Sequence, residues 1–388
     1  MSASTAAPFD PPVRRLCGPG PSDVHPSVLQ AMQRPMVSHL DPALHPMLLE
    51  VVDMLRQVWR RADGIVLPLS ATGMQGMEAG MANLVEPGDE VVIANAGFFA
   101  GRLVETARRA GADVTEVEAE WGQVVPVDQL VDTLDQHPNA RLVAVVHAET
   151  STGAQYPLAE LAAALGDRST LLMADCVTSL GSIELDLDAW GVDWAYSCTQ
   201  KALAAPPGMS PVAASGRALE RIAARKKPVP YAWDLRELDR YWSDRPVAYH
   251  HTVPVLHIYA LHEALRLMLE EGLEARWARH ADAAAHLREA LSERDLELLA
   301  DPAHQLPSLT AVRVPEGIDG AGIQKRLLDE HGLEVGGGLG PDAPAMWRIG
   351  LMGYNARTEV ADEVIAAFDA VLGDRSAGAP ARAGAAAS

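Results

Sequence analysis

The sequence is poor in cysteine and in positive charge. Its 388 residues include three cysteines, Cys17, Cys176 and Cys198, and no two of them form a CxxC pair. An odd and sparse set of thiols argues against a disulfide framework and predicts a reducing, cytoplasmic location. Lysine and arginine number 32 against 52 acidic residues, which gives a formal net charge of -20. This negative charge disfavours nucleic acids and anionic membranes as partners.

Long apolar runs are also absent. No run approaches the roughly 20 residues of a membrane-spanning helix, and the first residues lack the charged-then-apolar pattern of a signal peptide. A hydrophobic content of 48% and a charged content of 22% are ordinary for a globular protein. A chain of this length can form two domains and bury a large core.

What the chain does contain is a regular alternation of short apolar runs and amphipathic stretches. The predicted strands are 65–69, 90–94, 113–117, 141–146, 170–174 and 192–196. The predicted helices are 42–60, 74–84, 101–110, 127–134 and 158–165. Strands that alternate with helices predict crossover units, and therefore an α/β fold with a mostly parallel sheet between helices.

The later part of the chain predicts a second, smaller domain. A predicted helix at 255–270 leads out of the large domain. Helices are then predicted at 276–293 and 359–372, with strands near 310–314 and 347–351. Helices packed on a small sheet form an α+β unit. The predicted division is an N-terminal arm at 1–22, a large domain at 23–272, a small domain at 273–375, and an Ala/Gly-rich disordered tail at 376–388.

Polar residues follow several of the predicted strands, where parallel sheets bind their ligands. Lys201 lies on a turn before Pro206-Pro207-Gly208, and is either an exposed surface residue or a desolvated, nucleophilic amine. The Thr72-Gly73 turn is either a plain helix cap or a phosphate site. Asp175 directly follows an apolar strand, as a helix cap or as a functional acid.

Three further features could carry chemistry: Arg348, a pair of adjacent histidines and a glycine run. Arg348 lies in an apolar strand, so it either forms a buried ion pair or presents a planar fork to a substrate carboxylate. His250 and His251 are adjacent rather than four residues apart on a helix, so no metal site is predicted. The glycine run at 336–340 lacks the full GxGxxG spacing of a dinucleotide loop.

Lys201 and Asp175 together are the pair that pyridoxal phosphate chemistry requires. The chain resembles the class V, fold-type I pyridoxal-phosphate aminotransferases, specifically the alanine/serine–glyoxylate group with its ureidoglycine–glyoxylate branch. The resemblance covers about residues 16 to 375. The matching stretches are GPGP at 18–21, EPGD at 86–89, HAETSTG at 147–153, DCVTSLG at 175–181, TQK at 199–201, PPG at 206–208, YHHT at 249–252, GGLGP at 337–341 and WRIG at 347–350.

This resemblance implies a role for each matching residue. Lys201 would hold the cofactor aldehyde and move the substrate's α-proton, and Asp175 would keep the ring nitrogen protonated. The other implied positions are Thr72, Gly73, Met74 and Gln200 at the phosphate, Phe99 and Val177 on the two ring faces, Thr150 near the ring oxygen, and Arg348 at the substrate carboxylate. Tyr249 and Thr252 would reach the phosphate from the partner subunit, which implies a homodimer with shared active sites.

Several departures from the family pattern stand out. Met74 and Phe99 occupy places where many members carry His, and Trp or His, respectively. The ureidoglycine branch tends to carry Gln where this chain has His39, and an amide residue where it has Tyr249. Amide side chains match a ureido group better than imidazole or phenol does. The resemblance therefore predicts transfer from alanine or serine to glyoxylate, giving glycine, with ureidoglycine or another amine as the alternative donor.

Two other classes of protein are weighed against this function. Cysteine desulfurases share the fold type but need a cysteine in the small domain, and no cysteine follows Cys198. A binding protein that had lost activity would be expected to have lost Lys201, Asp175 or Arg348, and all three are present.

Overall fold

The computed structural model describes residues 7–243 and 247–373, so the predicted tail at 376–388 lies outside the described residues. The helices are α1 (Pro26–Ala31), α2 (His45–Trp59), α3 (Gly73–Leu84), α4 (Phe98–Arg109), α5 (Val127–Gln136), α6 (Leu158–Leu165), α7 (Gly216–Ala223), α8 (Leu235–Trp242), α9 (Val255–Glu271), α10 (Leu273–Ser292), α11 (Gly320–His331) and α12 (Thr358–Gly373).

The strands fall into one large sheet and three small ones. They are β1 (Arg15–Leu16), β2 (Ile65–Leu69), β3 (Glu90–Asn95), β4 (Asp113–Glu118), β5 (Leu142–Val146), β6 (Ala148–Glu149), β7 (Ala154–Gln155), β8 (Leu171–Asp175), β9 (Trp194–Tyr196), β10 (Ser210–Ala214), β11 (Leu309–Arg313), β12 (Leu333–Glu334), β13 (Gly336–Gly337) and β14 (Met346–Gly350).

The large sheet has seven strands in the order β2-β10-β9-β8-β5-β3-β4. Strand β10 pairs antiparallel with both β2 and β9, while the four remaining pairings are parallel. The predicted mostly parallel α/β architecture is confirmed. The central strands β5, β8 and β9 are buried along their whole length, as parallel strands covered by helices on both faces must be.

The register of this sheet places the ends of three strands side by side. Val146 at the end of β5 lies opposite Asp175 at the end of β8. Asp175 in turn lies opposite Tyr196 at the end of β9. Because these strands are parallel, all three residues lie at the carboxyl edge, where sheets of this kind bind ligands.

Helix α2 shows how the apolar spacing produces burial. Leu48, Val51, Leu55 and Val58 recur at helical intervals, and all four are buried against the large sheet's core. The helix begins at His45, three residues after the predicted start at Pro42, and Arg60 in the left-handed conformation (φ 49°) ends it.

The C-terminal part of the chain forms a second hydrophobic core. Strands β11, β14 and β13 make a three-stranded antiparallel sheet, and α10, α11 and α12 supply the helices around it. Part of the N-terminal arm is attached to this unit, because Arg15 and Leu16 pair in parallel with Leu333 and Glu334. The boundary predicted at 272/273 falls at the junction of α9 and α10; the division into domains stays a prediction.

Some helices differ from their predicted bounds or were not predicted. Helix α4 begins at Phe98 rather than at residue 101, because the Glu149 carboxylate accepts hydrogen bonds from the amides of Phe99 and Ala100. Four helices, α1, α7, α8 and α11, were not predicted. Among the described residues, no helix is long and apolar enough to cross a membrane.

Candidate active site

A cavity of about 650 Å³ opens at the carboxyl edge of the large sheet. Its lining consists of Thr72, Gly73, Met74, Met77, Phe99, Val146, Ala148, Thr150, Asp175, Val177, Thr178, Tyr196, Cys198, Gln200 and Lys201. The structure thus brings together most of the residues that the sequence singled out for a cofactor. A concave site with few polar groups on an apolar wall is typical of small-molecule binding.

Lys201 lies on the turn after β9, with its amine facing the N-terminal glycine loop. Its Nζ donates a hydrogen bond to the carbonyl of Pro19. Gly20 has a φ of 111°, which favours glycine, and a Cβ at this position would overlap with the end of Lys201. The absence of a side chain at Gly20 therefore lets the loop pass close to the lysine. Burial lowers the pKa of Lys201, and the nearby guanidinium of Arg348 lowers it further. The surroundings therefore favour the neutral, nucleophilic amine.

Asp175 is a buried carboxylate with two donors. Tyr196 donates from its hydroxyl to Oδ2 at 2.6 Å, and the amide of Val177 donates to Oδ1 at 2.9 Å. Burial raises the pKa of Asp175 to about 7, and the two hydrogen bonds oppose that rise. A turn rather than a helix follows Asp175, so the helix-cap alternative does not apply. The carboxylate lies in the cavity wall and can accept a proton donor there.

The first turn of α3 supplies backbone amides to the cavity. The amides of Gly73 and Met74 lie in that turn and cannot bond within the helix, which makes them donors for an anion. Thr72 precedes the helix, and its own amide donates to Gln75 Oε1 at 2.8 Å. Nearby, Gln200 Oε1 is buried without a hydrogen-bond partner. A bound group with both polar and anionic atoms would satisfy this side of the cavity.

Phe99 and Val177 both line the cavity. Phe99 is the second residue of α4, and its amide donates to Glu149 Oε2 at 3.1 Å. Glu149 is buried and also accepts from the amide and hydroxyl of Ser151, at 2.9 and 2.6 Å. Burial raises the pKa of Glu149, while these hydrogen bonds lower it. Glu149 therefore fixes the position of the aromatic side chain through the start of α4.

Arg348 forms no ion pair with a carboxylate within residues 7–243 and 247–373. Its guanidinium instead donates from Nε to the carbonyl of Gly337 at 2.6 Å, and from Nη1 to the carbonyl of Thr150 at 3.0 Å. Burial lowers its pKa, and the charges of Glu149 and Glu334 oppose that effect. The carbonyls orient the guanidinium, and no carboxylate of the described residues forms a direct ion pair with it. This arrangement favours the carboxylate-binding alternative over the structural ion pair.

Tyr249 and Thr252 do not line the cavity of their own chain. Both are exposed, Tyr249 at 60% of its surface. The rings of His39 and Tyr249 lie 5.6 Å apart, so the two positions that bear on the amino donor are neighbours.

The adjacent histidines bond to each other. His250 Nδ1 lies 2.9 Å from His251 Nδ1, and His251 Nε2 lies 2.8 Å from Ser70 Oγ. In the described part of the chain, no group of three or more His, Cys, Asp or Glu side chains is arranged to hold a metal ion.

Tyr196, Glu149 and Cys198 are site residues that the sequence reasoning missed. Tyr196 resembled an ordinary core aromatic on a short strand. Glu149 carried the same signal as Asp175, an acid directly after apolar residues, and could have been found by it. Cys198 lines the cavity, but burial raises the pKa of its thiol to about 12, so it stays protonated.

These residues fit pyridoxal phosphate. A phosphate can accept hydrogen bonds from the free amides of α3. An aromatic and an aliphatic side chain line the cavity, and a carboxylate and a lysine amine are available within it. Each is the type of group that the cofactor's phosphate, ring, ring nitrogen and aldehyde need.

Comparison with known proteins identifies the family. The family model for class-V aminotransferases matches residues 62–362. An (S)-ureidoglycine–glyoxylate transaminase of Bacillus subtilis (strain 168) is 37% identical over 386 residues, which cover 95% of this chain and 92% of that protein. An alanine–glyoxylate aminotransferase of Rattus norvegicus is 36% identical over 369 residues, covering 94% and 89%.

The structural comparison agrees. The crystal structure of an alanine–glyoxylate aminotransferase from Nostoc sp. has a TM-score of 0.92 and 46% identity to this chain. The match covers 95% of this chain and 97% of that one. By their names, these relatives share glyoxylate and differ in the amino donor.

Replacing Lys201 with Ala tests the central residue. The variant should still bind pyridoxal phosphate, because the other groups of the cavity remain, but turnover should fall to the background rate. Borohydride reduction followed by mass spectrometry should find the cofactor attached to the wild-type protein and not to Lys201→Ala. Wild-type turnover in the variant would contradict the assignment.

Asp175 should make the stability of the cofactor-free protein depend on pH. Its folded pKa, about 7, lies above its ordinary value of 3.8, so its stabilising contribution is complete below pH 3.8 and is lost as pH rises to about 7. Asp175→Asn cannot titrate. Thermal unfolding from pH 5 to 8 should show wild type losing stability relative to Asp175→Asn. Parallel curves would show that the carboxylate is not desolvated.

Proposed function

The chain belongs to the class-V aminotransferases, and we propose that it moves an amino group from alanine or serine to glyoxylate, giving glycine. It is a pyridoxal-phosphate-dependent transaminase by family. The observation that carries the choice of reaction is the guanidinium of Arg348, which has no ion-pair partner among the described residues and lies close enough to Lys201 to lower the pKa of its amine. Both the amino donor and glyoxylate offer a carboxylate to it.

Pyridoxal phosphate, when bound, supplies an aldehyde that captures the amine and a ring that takes up the electron pair released at the substrate Cα. In the proposal, Lys201 removes the proton from Cα, and the burial that lowers its pKa favours the neutral amine that this step needs. Asp175 holds a proton on the ring nitrogen, with Tyr196 and Val177 keeping the carboxylate in place. Phe99 and Val177 would fix the ring plane between them, and Thr150 would lie near the ring oxygen.

Arg348 would bind the substrate α-carboxylate. Two carbonyls, those of Gly337 and Thr150, hold its guanidinium in one orientation, so little side-chain entropy remains to be lost on binding. Glyoxylate has little beyond a carboxylate and an aldehyde, so this arginine and the lysine account for most of its recognition.

The proposed assembly is a homodimer with shared active sites. Tyr249 and Thr252 match family positions that bind phosphate, yet both are exposed and lie outside the cavity of their own chain. Their placement supports a contribution to the partner's cavity. We also place the enzyme in the cytoplasm, because its three cysteines are free, buried thiols, as a reducing compartment would maintain.

The preference for alanine or serine over ureidoglycine rests on His39 and Tyr249. These neighbouring rings put an imidazole and a phenol at two positions where the ureidoglycine branch tends to carry amides, which match a ureido group better. A pocket that leaves those groups unpaired loses a large factor in rate. Similarity to a ureidoglycine–glyoxylate transaminase keeps ureidoglycine as the second candidate.

Arg348→Lys keeps the charge but removes the planar fork. The loss of charge-assisted hydrogen bonds worth about 1.5–3 kcal/mol should lower kcat/KM roughly 10- to 100-fold. Because both substrates carry a carboxylate, we expect the loss with the donor and with glyoxylate alike, in separate half-reactions followed by stopped-flow absorbance. Arg109→Lys, an exposed arginine paired with Glu105, is the matched control and should be silent. Unchanged kinetics in Arg348→Lys would assign this arginine a structural role.

A donor panel at fixed glyoxylate tests the substrate pair. We expect kcat/KM for alanine or serine to exceed that for freshly generated ureidoglycine. His39→Gln combined with Tyr249→Asn should shift the ratio toward ureidoglycine, because amides match the ureido group. A wild-type preference for ureidoglycine would reverse the donor assignment, and activity with none of the three would indicate another amine.

A further inference from the structure

A second cavity, of about 680 Å³, lies beside the turn that follows Lys201. Leu203 and Ala204 of that turn form one wall, and Ala264 and Leu267 of α9 form another. Its polar wall consists of His25, Glu271, Arg276, Arg279, Tyr354 and Arg357. None of these residues has a role in the transamination described above.

The cavity is positively charged in a chain of net charge -20. Three arginines face it and one carboxylate, Glu271, opposes them. Glu271 is already bound by Arg276 at 2.8 Å and by Arg279 at 2.6 Å. The remaining acid that acts on this region, Glu263, is paired with Arg266 at 2.9 Å. Two positive charges of the lining therefore remain uncompensated.

Arg357 is the uncompensated arginine with the most free donors. Its guanidinium carbon lies 4.4 Å from the centre of the Tyr354 ring, which fixes its plane. Its Nε is buried without a hydrogen-bond partner. No carboxylate of residues 7–243 or 247–373 lies within ion-pair distance of it. A buried donor without an acceptor is costly, so a ligand that supplies one gains that cost back.

Hydrogen bonds connect the lining of the cavity to the turn that carries Lys201. Arg276 donates from Nη2 to the carbonyl of Ala202 at 2.6 Å, one residue after Lys201. Arg279 donates from Nη1 to the carbonyls of Gly353 and Ala356, at 3.1 and 2.6 Å, and so holds the segment that carries Tyr354 and Arg357. A ligand between these arginines would contact both segments.

We propose that this cavity is a binding site for a small dianion with oxygen acceptors, held mainly by the Arg357 guanidinium. Two charges on the ligand match the two uncompensated charges of the lining, and the planar, ring-supported guanidinium suits a bidentate contact with a phosphate or a carboxylate. Arg276 and Arg279, which belong to the same polar wall, add electrostatic attraction. Bound ligand would restrain residues 202–204.

The test uses the full-length holoenzyme, so that inorganic phosphate cannot enter the cofactor's phosphate site. Inorganic phosphate and succinate are titrated separately by calorimetry at constant ionic strength, with chloride as the monovalent comparison. The variants are Arg357→Gln and the control Arg102→Gln, which removes an exposed arginine stacked on Phe98 at 4.9 Å outside the cavity.

Saturable binding of phosphate or succinate to wild type and Arg102→Gln is expected, with Kd at least about tenfold higher in Arg357→Gln, since a hydrogen bond to a charged group is worth about 1.5–3 kcal/mol. Which probe saturates identifies the ligand class. Hydrogen exchange of residues 202–205 should slow in wild type when that probe is added.

Other results would overturn the proposal. Absence of saturable binding in wild type counts against it. So does an equal Kd in Arg357→Gln, which is also the result expected if succinate binds only at Arg348. If Arg357→Gln does not fold, Arg357→Lys keeps the charge without the fork, and an unchanged Kd there has the same meaning. A variant that no longer dimerises, while wild type binds neither phosphate nor succinate, would instead indicate that a side chain of the partner subunit fills the cavity.

Discussion

The site depends on two hydrogen bonds that oppose the protonation of one buried carboxylate, Asp175. A buried carboxylate without donors would take up a proton, and burial alone moves its pKa toward neutrality. Tyr196 and the amide of Val177 each donate to one oxygen and oppose that change. Tyr196 comes from the sheet, opposite Asp175 in the register of β8 and β9, and Val177 lies on the turn that follows β8. The sheet therefore sets the electrostatics of the site as well as its position.

Lys201 is under the opposite constraint, since the same burial favours its neutral form. One low-polarity cavity thus raises the pKa of the acid and lowers that of the amine, which brings both toward the pH at which proton transfer is efficient. Glu149 extends this logic. Its buried charge is stabilised by the first amides of α4 and by Ser151, and in return it fixes the helix that carries Phe99.

Much of this arrangement was predictable from the sequence. Alternating strands and helices gave the parallel sheet, and polar residues directly after apolar runs marked Asp175 and Lys201 at its carboxyl edge. What failed were features decided by tertiary contacts. Helix α4 starts at Phe98 because a distant carboxylate caps it, and Tyr196 becomes a site residue only through pairing with a strand 21 residues away. Arg348 could not be decided locally, because its acceptors, the carbonyls of Gly337 and Thr150, carry no sequence signal.

An acidic protein that binds anionic substrates must build positive potential locally. At the candidate site this comes from two sources: Arg348, which forms no ion pair among the described residues, and the amides at the start of α3. At ordinary salt, solvent ions screen the repulsion from acids that lie more than about 10 Å away. Groups inside a cavity are screened far less. The negative surface therefore costs the site little. Most arginines with described partners in this chain are paired with carboxylates. An arginine that has no such partner among the described residues therefore indicates a place where an anionic ligand can bind.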